Sequence, residues 1–229
     1  MPSVPYTIRR SDRARHARIV VSGDGVEVVV PRRFAERRIA PLVEEKRPWI
    51  ERTLERMRES EAEVAPAHLR DGGSVPFLGE RLTLAVRVEP GRTRAHVARR
   101  GDSLHVAVAD PGSAAIRDAL ERWYRRCARA EVAPRLDAAT ARAGARYTSL
   151  QIRAQRTRWA SCSDRGGMSF NWRLLLAPAE ILDYVVEHEV AHLDVPDHSE
   201  RFWTLLADRA PGFREHERWL RRHGHALRL

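Results

Sequence analysis

His188, Glu189 and His192 stand in the order H-E-x-x-H. On an α-helix, positions i and i+4 leave the same face about one turn apart. Two imidazoles can therefore reach one tetrahedral ion while the carboxylate beside the first lies next to the ion's water. Three fixed letters in five arise by chance often enough to be a weak signal alone. The setting adds weight, because Ile181, Leu182, Val185, Val186 and Leu193 independently demand a helix at this place. A catalytic zinc needs a third protein ligand and an open fourth position. His198, six residues past His192 and just after Asp194-Val195-Pro196-Asp197, is the first candidate, with Glu215, His216 and Glu217 as alternatives. Any one of these histidines alone reads as an exposed helix residue or a cap. Three within eleven residues, with a glutamate at the useful position, point to one zinc ion. The chemistry expected is hydrolysis by an activated water, with Glu189 as general base. Arg158, Asn171 and Tyr184 are candidate donors to the negative charge that develops.

These side chains need helices and a turn to bring them together. Ala177-Pro178 predicts a helix start, with proline suited to its first position. Asp194 to Asp197 predicts its stop, and Asp197 or Ser199 can cap a second helix that carries Phe202, Leu205 and Leu206 on one face. Pro211-Gly212 precedes a last helix ending near Arg222. Further upstream, two β-branched runs at 18–22 and 26–30 around Gly23-Asp24-Gly25 predict a hairpin. Apolar residues at three- and four-residue intervals, among them Ile39, Trp49 and Ile50, predict helix over about 35–61, with Pro48 producing a kink or separating two helices. Strands are expected near 74–78, 81–88, 94–98 and 103–107, then a long helix over about 114–143 interrupted at Pro134. Segments 147–153 and 168–172 read as paired strands, a hairpin whose edge could accept an extended peptide. The fold class expected is α+β: an N-terminal antiparallel β-rich region at 1–110 with a helix at about 35–61, then a metal-binding catalytic domain at 111–229.

With 43% hydrophobic and 31% charged residues, the 229-residue chain lies in the ordinary globular range and away from compositions that favour disorder. The first eighteen residues carry Arg9, Arg10, Arg13, Arg15 and Arg18 but no apolar run, and no later stretch approaches the roughly 18–20 apolar residues of a membrane span. No membrane association is therefore expected. Cys127 and Cys162 are too few for a disulfide framework, so a cytoplasmic protein is expected. The net charge of +10 and pI near 10.9 would suit a nucleotide or nucleic-acid partner. A duller cause competes, since Lys46 is the only lysine and the arginines are scattered from end to end, as GC-rich coding would produce. A binding footprint would have to gather on one face.

A family resemblance comes with a wider set of residues. Arg156-x-Arg158-Trp159-Ala160-Ser161-Cys162-Ser163, Asn171-Trp172-Arg173-Leu174, the run from Asp183 through His188-Glu189-x-x-His192, and His198-Ser199-x-x-Phe202-Trp203 together resemble the YgjP-like metallopeptidases, placed near the SprT-like zincins. Weaker similarity continues through Arg9-Arg10-Ser11, Trp49-Ile50 and Leu78-Gly79. The resemblance implies a zincin-like catalytic domain with zinc on His188, His192 and His198, Glu189 as base, and a peptide or protein substrate. One departure is visible: Ala160 stands where the family usually has glycine, which would strain a turn of positive φ. The third histidine is also spaced as in metzincins, but Val195 fills their glycine position and Met1, Met57 and Met168 all precede the motif, so that assignment is rejected. Cys162 reads as a small residue packing a turn, and Trp159, Trp172 and Trp203 as core.

Two other functions compete with a zinc peptidase. Arg153, Arg156, Arg158 and Arg173 near the motif could grip phosphates, which would make the chain a nucleoside triphosphate pyrophosphatase. Alternatively, it is a DNA-associated protease or a nucleic-acid binder with structural zinc, although structural sites are usually closed by four ligands. In each enzymatic reading, Arg156, Arg158, Asn171, Arg173 and Tyr184 are the candidate substrate-binding residues. The sequence carries no sign of an oligomeric state.

Overall fold

The computed structural model describes residues 4–22, 25–63, 67–155 and 157–229. Gly23-Asp24 of the expected hairpin turn and Arg156 lie outside the described residues. The architecture is mixed α+β, in two compact units: Met1–Val64 with Arg222–Ala226, and Ala65–Arg221 with Leu227–Leu229.

In the first unit, strands β1 (Tyr6–Ser11), β2 (Arg18–Ser22) and β3 (Gly25–Pro31) form a sheet of order β1-β3-β2. The β2–β3 hairpin is antiparallel, as the two β-branched runs predict, whereas β1 lies parallel to β3. Alternation puts Val26, Val28 and Val30 on one face, where they are buried with Ile39, Val43 and Ile50 of helix α1 (Ile39–Glu63). Strand β1 has no clear signature in the sequence because its arginines interrupt the apolar pattern; only Tyr6-Thr7-Ile8 reads as strand. Helix α1 continues through Pro48 as one element, so two separate helices are not formed. Trp49, expected on its apolar side, is 40% exposed.

The second unit begins with β4 (Ser74–Phe77), β5 (Glu80–Val88), β6 (His96–Arg100) and β7 (Ser103–Val108), ordered β4-β5-β7-β6 with β5 and β7 parallel. Helix α2 (Ser113–Arg142) follows, burying Ile116, Leu120, Trp123, Tyr124, Val132 and Leu136. It also runs unbroken through its proline, Pro134, so the expected interruption does not occur. A second sheet, β8 (Ser149–Arg153), β9 (Ala160–Cys162) and β10 (Gly167–Asn171), has the order β8-β10-β9, with β8 parallel and β9 antiparallel to β10. The chain then passes through a 3-10 turn, Trp172–Leu176, into α3 (Ala179–Ala191), α4 (Glu200–Arg209) and α5 (Phe213–His223).

The boundary expected at residue 110 differs from the observed division. Leu82, Leu84, Leu104, Val106 and Val108 of the four-stranded sheet share one continuous core with α2, α3 and α4, so these strands belong with the C-terminal helices. Among the described residues, no helix is long and apolar enough to cross a membrane.

The β4–β5 turn bears on the position of α3. Leu78, at φ 49, donates its N–H to the Leu175 carbonyl at 2.8 Å. Gly79 adopts φ 91, and a Cβ at this position would lie 3.7 Å from the Cα of Pro178. Two consecutive residues at positive φ favour glycine where the side chain is least tolerated. Gly79→Ala is therefore expected to lower stability by about 1–2 kcal/mol, read as an earlier urea midpoint with an unchanged slope.

Candidate metal centre

Helix α3 starts at Ala179 after Pro178 and carries Glu180 in its first turn, where the helix dipole favours an acid. Ile181, Leu182, Val185, Val186 and Val190 bury its apolar side. His188 and Glu189 lie in its last turn, and His192 occupies the C-cap position at φ −68 and ψ −14. The backbone then turns tightly: the N–H groups of Asp194 and Val195 both donate to the Ala191 carbonyl, and Asp194 pairs with Arg209 of α4 at 2.6 Å. Asp197 Oδ1 accepts the Ser199 N–H at 3.0 Å, and Ser199 is the N-cap of α4. This reversal swings His198 back over the end of α3.

The three imidazoles converge. His188 Nε2 and His198 Nε2 are 3.0 Å apart, and one ligand atom from each of His188, His192 and His198 lies within 4.8 Å of the others. Among the described residues, no other histidine, cysteine or acidic group joins such a cluster, so Glu215, His216 and Glu217 are not part of it. Phe202, fully buried on α4, lies under all three rings at centroid distances of 4.9, 4.5 and 4.7 Å. Trp203 flanks His198 at 5.5 Å and stacks on Phe213. The second and third imidazoles are thus held by packing against α4.

The donor set fits a divalent cation. His192 Nδ1 lies 3.1 Å from the Val195 carbonyl, which can only accept, so Nδ1 carries the proton and Nε2 keeps a free lone pair. Burial and the neighbouring imidazoles hold His188 down to about 4, and burial also lowers His192, so both rings favour the neutral form that binds metal. In a tetrahedral zinc site the ligand nitrogens sit about 3.3 Å apart, close to the observed separation of His188 and His198.

Glu189 is 6% exposed and faces a cavity of about 710 Å³ that is also lined by Arg158, Ala160, Cys162, His188, His192 and His198. Burial pushes its carboxyl up to about 7, while the Cys162 backbone N–H, which donates to it, and the Arg158 charge act in the opposite direction. Cys162 belongs to β9, an edge strand, so the sheet edge meets the acid directly. That contact is not legible in the sequence, since a three-residue strand is too short to show a period. The Cys162 thiol is half-buried, and burial followed by the charges of Glu189 and Asp164 raises its pKa. Ala160 has no positive φ, so alanine at the family's glycine position is unstrained.

The remaining candidates separate. Arg158 lines the cavity, and its guanidinium makes no hydrogen bond or ion pair among the described residues. Asn171, 3% exposed, donates its amide to the carbonyls of Gln155 and Arg158 and accepts the Arg173 N–H, so it shapes the loop that carries Arg158 and does not line the cavity. Arg173 stacks over Trp172 at 4.7 Å, and Arg153 bonds Gln151. Tyr184 is buried one turn before His188, 5.9 Å from its ring and 6.1 Å from that of His216, and burial pushes its phenol up to about 12. It too is absent from the cavity lining.

The YgjP-like, metallopeptidase domain family matches this chain over residues 15–223, nearly its whole length and the entire site. The chain belongs to the YgjP-like metallopeptidase family. A YgjP-like metallopeptidase acts on peptide bonds with the aid of a divalent metal, and this chain has a three-histidine cluster whose nitrogens lie close enough together to ligate one. No curated protein matches the chain. Among solved structures, it is similar to the metallopeptidase zymogen of Pyrococcus abyssi abylysin, at 26% identity over 39% of this chain and 92% of that one, with a TM-score of 0.36.

Proposed function

We propose that this metallopeptidase is a zinc enzyme of the zincin type, with the metal on His188, His192 and His198 and Glu189 as general base. The observation that carries this reading is the convergence of three imidazoles beside a buried carboxylate in a cavity bordered by an edge strand. Bound zinc would supply Lewis acidity, acidifying water and polarising a carbonyl oxygen. Glu189 then takes a proton from water and delivers it to the leaving amine. The Cys162 N–H fixes the carboxylate's direction. An extended peptide would add along the outer side of β9, its backbone paired with the strand edge and its carbonyl toward the histidines.

Arg158 is the residue we assign to the developing oxyanion, since it is the uncommitted cation of the cavity among the described residues. Arg158→Ala is expected to lower kcat by about 10²-fold with little change in KM or zinc content, measured by steady-state cleavage and metal analysis. The phosphoanhydride reading loses much of its motive, because among the described arginines of its cluster Arg158 alone lines the cavity, while Arg153 and Arg173 are engaged elsewhere. A structural zinc is disfavoured because three ligands, not four, are gathered among the described residues.

The zinc-loaded protein should be tested on an unfolded protein, a mixed peptide library and nucleoside triphosphates. Peptide cleavage that a chelator abolishes is expected. Phosphate release without any peptide cleavage would overturn the assignment.

A further inference from the structure

We infer that the first compact unit carries a sequence-independent binding surface for the phosphate backbone of nucleic acid, at one end of its three-stranded sheet. Its sequence is rich in arginine between Arg9 and Arg38, where Asp12, Asp24, Glu27 and Glu36 are the only acids. Linear scatter hides the clustering, and sheet topology reveals it. Because β1 is parallel to β3 with Ser11 opposite Pro31, and β2 is antiparallel with Arg18 opposite Val29, three chain segments reach the same end: the close of β1, the start of β2 and the close of β3. The 12–17 connection and the 3-10 turn Glu36–Arg38 complete that end. Contacts across it confirm the closeness. Arg10 donates to the carbonyls of Arg32 and Phe34 at 3.0 Å, and Arg32 meets Asp12 at 3.5 Å.

The neighbouring acids are already used, by Arg9 on Glu27, Arg10 on Glu36 and Arg32 on Asp12. Arg13, Arg15, Arg18, Arg33 and Arg37 are all exposed, and their guanidinium groups make no hydrogen bond or ion pair among the described residues. Five exposed guanidinium groups without counter-charges, carried by the backbone segments that meet at this end of the sheet, are what a chain of phosphodiesters recognises. Charge of this kind, spread as arginine on strand ends and a loop, differs from a membrane-surface element, which sets its basic residues along the polar face of an amphipathic helix.

Neutralising phosphates with five arginines releases their counterions, so log K should fall against log salt with a slope near −4.5 for duplex DNA, about −0.9 per contact. The test is fluorescence anisotropy of a mixed-sequence DNA duplex with the full-length protein from about 50 to 300 mM salt. Arg13→Glu/Arg15→Glu/Arg18→Glu is expected to weaken binding at least tenfold at low salt and to shrink the slope by about 2.7. Its circular dichroism and peptide cleavage should be unchanged. The milder Arg33→Gln/Arg37→Gln should shrink the slope by about 1.8 and covers the case in which the triple variant fails to fold. Arg87→Glu/Arg122→Glu/Arg126→Glu, exposed positions of the other unit, makes the same charge change and should retain binding. Three results would each overturn the inference: no binding at the lowest salt, equal loss in that control, or capture by phosphatidylserine vesicles in place of DNA.

Discussion

Replacing Glu189 by glutamine is expected to lower peptide cleavage by about 10²–10⁴-fold while the protein keeps a full complement of zinc. The substitution preserves shape and the ability to accept from the Cys162 N–H but removes the group that takes up and returns the proton. Glu189 is not one of the three converged ligand residues, so metal content isolates proton transfer from metal binding. Glutamine also leaves no buried carboxyl to be desolvated at a position only 6% exposed, so stability should hold or rise slightly. Cleavage within threefold of the parent would remove Glu189 from the reaction, and loss of zinc along with activity would make it a structural residue.

The second large effect is expected from His198→Ala. His198 is the exposed member of the triad and contributes no core volume, so the metal-free variant should unfold within about 0.5 kcal/mol of the parent. Zinc is what the change should remove. Loss of a direct ligand should exceed the roughly 10–100-fold that outer-shell changes cost in affinity. At a concentration one thousand times the parent's Kd, zinc stabilises the parent by about 4.1 kcal/mol, while a site weakened 100-fold retains about 1.4 kcal/mol. Thermal unfolding with and without zinc reads this difference directly, and cleavage should fall to background. A variant that keeps stoichiometric zinc and the parent's zinc-induced shift would exclude His198 as a ligand, whatever its activity.

The chain's own residues determined a good deal. H-E-x-x-H, the apolar spacing around it, and the Pro196 turn before His198 are local features, set by which side chains recur every third or fourth position and by which residues stop a helix. They sufficed to single out the three imidazoles and the glutamate that the fold gathers. The β2–β3 hairpin was legible for the same reason, because β-branched alternation and a Gly/Asp turn act over a few residues.

Only tertiary structure decided the rest. Pro48 was expected to kink a helix or separate two, and Pro134 to interrupt one, yet burial of Val43 and Ile50 along α1, and of Val132 and Leu136 along α2, keeps each helix continuous across the lost hydrogen bond. The parallel pairings of β1 with β3 and β5 with β7 link residues far apart in the chain, so no local pattern announces them. The same is true of the strands between 74 and 108, whose membership in the C-terminal core depends on long-range packing. Among the proposed substrate residues, residue type could not separate Arg158 in the cavity from Asn171 beneath its loop or Tyr184 behind His188. Arginine, asparagine and tyrosine all carry donors, and where a donor points is set by the backbone that holds it.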